Sequence, residues 1–340
     1  MRLNEIEYLR PILFIQLFFT HAFTIYTCSS WSVPDGIEKL ALYEWIERIS
    51  YSCMLELFTF ISGFVYYFAA SNRNQTYPQL ILSKFKRLMI PSIIFSVFYY
   101  ILLMNHQNVS WQLLYDIICG VGHLWYLPML FQCFLIAYFI KDSNSPLCFL
   151  LLTIILSSFS RCPNIFRFSQ VAYYLFYFYL GICCCRYRVK IHQFLLLDKR
   201  FTNILLPLLF VFSLITLLPL NYQLKTWHLE NWIDNYFLAA LIRFINIIYS
   251  VIGIFFWYSV AVRFSVHSPA IPSVVKQFNF LSMGVYVIHQ FILFFLYYYT
   301  KMPLVCGSWL LPWVAIIIVL PLSILLSYIF KATKLGKMLI

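Results

Sequence analysis

Apolar stretches, separated by short charged or turn-rich breaks, occupy most of the chain. Ten of them carry few charges, namely 11–26, 51–70, 88–104, 124–140, 147–159, 168–185, 201–220, 236–262, 280–300 and 309–330. A helix needs roughly 20 mostly apolar residues to cross a bilayer. The pattern therefore predicts an all-α, polytopic membrane bundle of about ten transmembrane helices. The stretch 147–159 is the weakest because it is short for a span.

Composition supports a membrane protein. Of the 340 residues, 62% are hydrophobic and only 11% are charged, whereas about 25% of a soluble domain is charged. So few charges cannot cover the surface of a soluble protein, which excludes a soluble enzyme, a disordered chain and a nucleic-acid-binding domain. A membrane β-barrel is also disfavoured, since its strands alternate apolar and polar residues.

The lysines and arginines fall mainly on one side of the predicted bundle. Of the 24, 17 lie in the alternate loops that include both termini, 6 lie in the opposite loops, and Arg243 lies within a span. Because cytoplasmic loops carry the excess of Lys and Arg, both termini are predicted to be cytoplasmic. The count also supports the short stretch 147–159, since omitting it would invert every later loop. We predict a single integral-membrane domain, residues 1–340.

Two ionisable residues share one face of the first predicted helix. Arg10 and His21 are eleven residues apart, which is about 1100° of rotation, or three turns plus roughly 20°. The helix rises about 16 Å over that distance, so Arg10 is predicted at the cytoplasmic edge and His21 beyond the midplane. Ionisable groups within a span usually have a function. The alternative is a histidine hydrogen-bonded in a polar seam of the bundle.

Glu56 is the only acidic residue within a predicted span, and its depth is similar to that of His21 on the preceding helix. A carboxylate that accepts one imidazole N–H fixes the tautomer and raises the basicity of the other nitrogen. We therefore predict that Glu56 orients His21. Arg243 competes as the partner of Glu56, in which case the two residues form a structural ion pair.

A basic cluster, Lys84, Lys86 and Arg87, stands where the third span leaves the cytoplasm. Such a cluster can bind phosphate groups, and it can equally act as a topology signal or contact anionic lipids. The spacing of the cysteines and histidines fits no metal site, so no metal cofactor is predicted.

Polar and aromatic residues also lie in the fourth and ninth spans. His123, Trp125 and Tyr126 open the fourth span, where Trp and Tyr are also typical of an interfacial belt. His289 lies at about mid-depth in the ninth span, three residues after Tyr286.

The order of these motifs resembles the acyltransferase 3 family of polytopic membrane acyltransferases. The segments that carry the resemblance are the pair Arg10 and His21, the runs 56–64, 84–88, 123–127 and 178–181, and the segment 282–289. The chain departs from the family at the third span, where the family often has two arginines three residues apart and this chain has Lys84 and Arg87. Lysine keeps the charge but lacks the bidentate fork of arginine.

The resemblance implies transfer of an acyl group, often acetyl, from cytoplasmic acyl-CoA to a hydroxyl of an extracytoplasmic glycan or lipid-linked sugar at the inner (plasma) membrane. It implies that His21 is the general base, that Glu56 and Arg10 complete the catalytic group, and that the basic cluster holds acyl-CoA. The residues implied in substrate binding are His123, Trp125, Tyr126, Ser282, Tyr286, His289 and Arg243. A covalent acyl-histidine intermediate stays open.

The implied partners are membrane lipids, the sugar acceptor and proteins of glycan assembly, without nucleic acid. Two other functions remain open on the sequence alone. A transporter or flippase would use the same buried charges as a substrate or proton path, and a scaffold would need only the topology. Hydrolysis or transfer of acyl-CoA by the purified protein separates the enzyme from the other two.

Overall fold

The structure is a computed structural model, and it describes residues 3–27, 31–72, 75–104, 111–161, 164–227, 229–333 and 336. It is 86% helical, and its described residues contain no strand, which confirms the predicted all-α class. Four basic residues that count toward the predicted orientation lie outside the described residues, namely Arg2, Arg73, Lys334 and Lys337. The cytoplasmic position of the termini stays a prediction.

Fifteen α-helices make up the described part of the chain. In chain order they are α1 (Asn4–Thr27), α2 (Ala41–Tyr51), α3 (Met54–Ser71), α4 (Tyr77–Lys84), α5 (Ile90–Tyr99), α6 (Trp111–Cys119), α7 (Tyr126–Ile140), α8 (Pro146–Ser158), α9 (Phe168–Arg186), α10 (Arg188–Leu197), α11 (Leu206–Ile215), α12 (Leu217–Leu224), α13 (Trp232–His267), α14 (Ser273–Tyr298) and α15 (Met302–Ala332). Short π-helical segments adjoin α4, α5 and α11, and 3₁₀ turns precede α7 and α9, at Phe85–Met89, Tyr100–Met104, Phe201–Leu205, Gly122–Trp125 and Ile165–Arg167 respectively.

Nine of the ten predicted spans correspond to helical stretches that are long and apolar enough to cross a membrane, and nine is the total among the described residues. The remaining span, predicted at 147–159, forms α8, which has 13 residues and a length of about 20 Å. The hydrocarbon core of a bilayer is about 30 Å thick. Helix α8 is thus too short to cross a bilayer of that thickness without local thinning.

Helix α2 differs from the sequence prediction, which places an outer loop before the second span. The segment forms an amphipathic helix instead, with Tyr43 and Glu47 buried. Glu44 and Arg48 form an ion pair one turn apart along this helix. These charges hide α2 from a search for apolar stretches, and Ser52 and Cys53 separate it from α3.

The contacts group the chain into two compact units, each assembled from separate segments. The first unit contains Met1–Leu9, Ser52–Leu82 and Met129–Ile271, and the second contains Arg10–Tyr51, Ser83–Pro128 and Pro272–Ile340. The sequence-based prediction of a single domain over 1–340 stays a prediction.

Two glycines bring α3 and α9 into backbone contact in the first unit. A Cβ atom at Gly63 would lie 1.9 Å from the carbonyl oxygen of Phe178, and one at Gly181 would lie 2.1 Å from the carbonyl oxygen of Phe60. Helices in membranes associate through such small residues because lipid supplies no hydrophobic drive for helix pairing. The reciprocal contact fixes the register of α3 on α9, and with it the position of Glu56.

In the second unit, tyrosine hydroxyls bind main-chain carbonyls on either side of His21. Tyr297 of α14 donates to the carbonyl of Ala22, 2.7 Å away, and Tyr26 of α1 donates to the carbonyl of Ser308. Ser308 follows Gly307, whose positive φ of 63° breaks the regular helix of α15. These bonds fix the C-terminal half of α1 against α14 and α15.

We predict that Gly63→Ala and Gly181→Ala each lower the free energy of unfolding by about 1–3 kcal/mol or more. The added methyl group meets backbone atoms, which cannot move aside without separating the two helices. Thermal unfolding of the detergent-solubilised protein measures the effect. Ser62→Ala is the matched control, since its hydroxyl bonds only to Phe58 of its own helix. Unchanged stability in both glycine variants would contradict the backbone contact.

Candidate functional site

Three of the predicted site residues form one histidine cluster in the second unit: His21 of α1, His123 of the 3₁₀ turn before α7, and His289 of α14. The ring centroids of His21 and His289 are 5.0 Å apart, those of His123 and His289 are 5.3 Å apart, and those of His21 and His123 are 6.4 Å apart. His289 is fully buried and His123 is 7% exposed. The sequence predicted all three residues but did not predict that their rings meet.

A tight glycine-rich turn positions His123. Gly120 and Gly122 both have positive φ values, of 79° and 54°, and a Cβ atom at Gly120 would lie 2.6 Å from the carbonyl oxygen of Leu124. Ser96 of α5 accepts the main-chain N–H of Val121 at 3.1 Å. The chain therefore reverses sharply at this point, and His123 is held by backbone geometry rather than by a regular helix.

Gln290 connects two of the three histidines. Its Oε1 accepts the main-chain N–H of His123 at 3.3 Å, and its Nε2 lies 3.3 Å from Nδ1 of His21. Since the N–H of His123 can face only the amide oxygen, the NH₂ group of Gln290 must face His21. Gln290 is not among the residues predicted from the sequence, although a 4% exposed amide within an apolar helix is itself a sign of an internal partner.

Tyr286 and Tyr126 extend the cluster. The Tyr286 hydroxyl donates to the carbonyl of His123 at 2.6 Å, so α14 side chains bind both main-chain groups of His123. The rings of Tyr126 and Tyr286 are 6.2 Å apart, and the Trp125 ring is 6.2 Å from Tyr126. Ser282 donates to Asn279 of its own helix, at 2.8 Å.

His289 has a defined hydrogen bond on one ring nitrogen. Nδ1 lies 3.0 Å from the carbonyl oxygen of Val285, and because a carbonyl only accepts, Nδ1 must carry the proton. Nε2 is then the nitrogen with the lone pair. It is buried and has no hydrogen-bond partner among the described residues.

Glu56 belongs to the first unit, where it ends a hydrogen-bond chain. The Tyr173 hydroxyl of α9 donates to Glu56 Oε1 at 3.1 Å, and Asn246 of α13 donates to the same hydroxyl. The Tyr177 hydroxyl lies 3.1 Å from that of Tyr173. Glu56 is 5% exposed, and the hydroxyl of Tyr173 supplies the hydrogen-bond partner that a buried carboxyl group needs.

The sequence left two partners open for Glu56. The ion pairs of the described residues do not include one between Glu56 and Arg243, which is partly buried in the same unit. The predicted hydrogen bond between Glu56 and His21 would join the two units and stays a prediction. In the second unit, Nδ1 of His21 is bound by Gln290.

The predicted basic cluster lies in the second unit and has a further member. Lys86 and Arg87 are exposed in the π-helical turn after α4, and Lys84 and Arg10 are partly buried. Lys331 of α15 is not among the residues predicted for this cluster, because its place in the sequence contributes only to the charge asymmetry of the loops. Its Nζ lies 3.6 Å from the ring centroid of Phe280. Arg87 is near enough to Lys84 and Lys331 for its positive charge to repel both ammonium groups.

A second polar cluster, in the first unit, contains residues to which the sequence analysis gave no role. Arg188 binds the buried Glu5 carboxylate through two nitrogens, at 2.6 and 2.8 Å. His192 Nε2 lies 3.0 Å from the Tyr258 hydroxyl and 3.8 Å from Glu5. Burial lowers the pKa of His192, and the opposing effect of Glu5 is smaller. This cluster ties α1 to α10 and α13.

Together, the apolar helices and the buried histidine cluster define a multi-pass membrane protein with an internal polar site. A family model described as an acyltransferase domain matches residues 3–332. The chain therefore belongs to this acyltransferase family, and the resemblance found in the sequence is confirmed. No curated protein and no solved structure gives a significant match. The protein is a membrane acyltransferase, an enzyme that transfers acyl groups.

We predict that Tyr173→Phe lowers the free energy of unfolding by about 1–3 kcal/mol, because Glu56 and Asn246 lose their common partner in a buried site. Glu56→Gln is the matched variant. The amide oxygen of the glutamine can still accept the hydrogen bond from Tyr173, so the free energy of unfolding is expected to fall less than in Tyr173→Phe. Chemical or thermal unfolding in detergent measures both, and a larger loss for Glu56→Gln would contradict the hydrogen-bond chain.

Proposed function

We propose that the protein transfers an acyl group, specifically acetyl, from cytoplasmic acyl-CoA to a hydroxyl of an extracytoplasmic glycan or lipid-linked sugar. The observation that carries this proposal is the histidine cluster of the second unit. Nε2 of His289 has a lone pair with no hydrogen-bond partner among the described residues. The ring of His21 is bound at Nδ1 by Gln290. Hydroxyl acylation needs this combination of a proton acceptor and a hydrogen-bond donor.

In the reaction, the acceptor oxygen attacks the thioester carbonyl carbon while a histidine nitrogen takes the hydroxyl proton. The tetrahedral intermediate then breaks its C–S bond, and the thiolate of CoA leaves and receives the proton. His21 would lie at the reacting atoms, and Arg10, on the same face of α1 and about 16 Å along it, would lie toward the donor. The ester of the sugar and free CoA are the products.

The basic cluster of Lys84, Lys86 and Arg87, extended by Lys331, would hold the phosphates of acyl-CoA. Cationic side chains bind phosphate oxygens by charge-assisted hydrogen bonds, and the pantetheine arm would extend along the second unit toward His21. Lysine at position 84 acts as a point charge rather than a bidentate fork.

The acceptor would lie against the aromatic and polar residues beside the histidine cluster. Trp125, Tyr126 and Tyr286 offer ring faces, and Ser282 stands one turn before Tyr286 on α14. Arg243 belongs to the first unit, and its predicted role in substrate binding stays a prediction. We further propose that the enzyme resides in the plasma membrane with membrane lipids and glycan-assembly proteins as partners.

We predict that His21→Ala lowers acyl transfer by about 10²-fold or more, to below detection on surface glycans. Mass spectrometry of glycans from cells with the wild-type gene, the variant and no gene measures this loss as the mass of one acyl group. His267→Ala is the matched control, since His267 is exposed at the end of α13 and bonds only to its own helix.

Two outcomes would contradict the proposal. Wild-type glycan acylation in the His21→Ala cells would exclude the histidine cluster as the reacting site. A purified wild-type protein that neither transfers nor hydrolyses acyl-CoA would favour the transporter instead, because a transporter has no need of thioester chemistry.

We predict that Lys84→Gln and Arg87→Gln each raise the KM for acetyl-CoA by about tenfold, or ~1.4 kcal/mol, with little change in kcat. The same variants should leave the KM for acetyl-pantetheine unchanged, because that donor lacks the nucleotide phosphates. Steady-state kinetics in detergent measures both donors. Lys301→Gln, an exposed cation before α15, is the control, and an equal effect on both donors would contradict phosphate binding.

A further inference from the structure

The hydrogen bonds around Gln290 determine which nitrogen of His21 carries the proton. Gln290 Oε1 is occupied by the main-chain N–H of His123, so its NH₂ group donates to Nδ1 of His21. A neutral imidazole has one donor and one acceptor nitrogen. With Nδ1 as the acceptor, Nε2 of His21 must carry the proton.

The opposite tautomer of His21 is excluded by the same contact. A proton on Nδ1 would face the NH₂ group of Gln290, and two buried donors would then oppose each other without an acceptor. Rotating the Gln290 amide does not help, because its NH₂ group would then face the N–H of His123. Neutral His21 is therefore a hydrogen-bond donor at Nε2 and has no lone pair there.

His289 has the complementary arrangement. Its Nδ1–H donates to the Val285 carbonyl at 3.0 Å, which orients the ring and leaves Nε2 as the nitrogen with the lone pair. The titratable groups that face it are His21 of α1, His123 of the 3₁₀ turn and Tyr286 of its own helix. The Tyr286 hydroxyl donates to the main chain of His123, so it does not occupy the lone pair of His289.

We infer that His289 is the general base of the acyl transfer and that His21 donates a hydrogen bond from Nε2 to the thioester carbonyl oxygen. This inference rests on the proposed function and deepens it, and it differs from the sequence-based role of His21 as the base. The acceptor hydroxyl gives its proton to Nε2 of His289 as its oxygen bonds to the carbonyl carbon. The Nε2–H of His21 stabilises the negative oxygen of the intermediate. When the C–S bond breaks, the proton on His289 passes to the departing thiolate.

Glutamine substitutions separate the two roles, because a glutamine side chain can donate a hydrogen bond but cannot act as a base. At position 21 it can accept from Gln290 through its oxygen and present its NH₂ group to the carbonyl. We expect the kcat of His21→Gln to be about tenfold or more above that of His21→Ala. We expect no such increase in kcat for His289→Gln over His289→Ala.

The pH dependence of kcat gives a second readout, which a merely structural role would not change. In the wild type, kcat falls at low pH as the base becomes protonated. His21→Gln should keep this acidic limb, whereas His289→Gln should lose it and show a low, flat profile. The reverse pattern, with the limb lost in His21→Gln and kept in His289→Gln, would overturn the inference.

Nitrogen-15 NMR of the histidine-labelled protein tests the tautomers without any acyl donor, with His21→Gln and His289→Gln serving to assign the signals. We expect the proton on Nε2 of His21 and on Nδ1 of His289. A proton on Nδ1 of His21 would overturn the inference even if acyl transfer occurs. Conversely, if the wild-type protein transfers no acyl group but the tautomers agree, the failure lies in the proposed function.

Discussion

Polar groups inside an apolar helix bundle are stabilised only by partners that the protein itself supplies, because the surrounding lipid offers no hydrogen bonds. Glu56 accepts a hydrogen bond from the Tyr173 hydroxyl, and His21 accepts one from the amide NH₂ group of Gln290. Each of these pairs also joins two helices, so satisfying a polar group and fixing the helix packing are the same event.

The two units achieve this packing in different ways. In the first, Gly63 and Gly181 let the backbones of α3 and α9 touch, and the buried hydrogen-bond chain of Glu56 follows from the register they set. In the second, side chains bind main-chain groups, as Tyr286 and Gln290 do at His123. Because both bonds hold the main chain of His123, the position of its backbone does not depend on the rotamer of its own ring, which suits a residue that must stay aligned with a reacting group.

Hydropathy predicted ten spans and the all-α class, and nine of the spans are long apolar helices among the described residues, because bilayer thickness imposes a length and polarity that any sequence must meet. The ordered motifs predicted the family. Helix α2 was not predicted, because its charged residues interrupt the apolar pattern although Glu44 and Arg48 pair within the helix. Helix α8 was predicted as a span but lacks the length of one. Lys331 and Gln290 could not be predicted, because their partners lie far away in the chain. Lys331 lies near Phe280 and Arg87, and Gln290 binds His123. Side-chain to main-chain bonds such as these leave no periodic trace in a sequence.

The side chain that sets the donor pattern of the histidine cluster is an uncharged amide. A carboxylate in the same position would gain a proton in acid, and the proton arrangement of its histidine partner would change with it. Gln290 neither gains nor loses a proton, and its oxygen is committed to a main-chain N–H that does not titrate either. The donor pattern that Gln290 imposes on neutral His21 therefore depends on the integrity of the fold and not on the protonation of Gln290 itself.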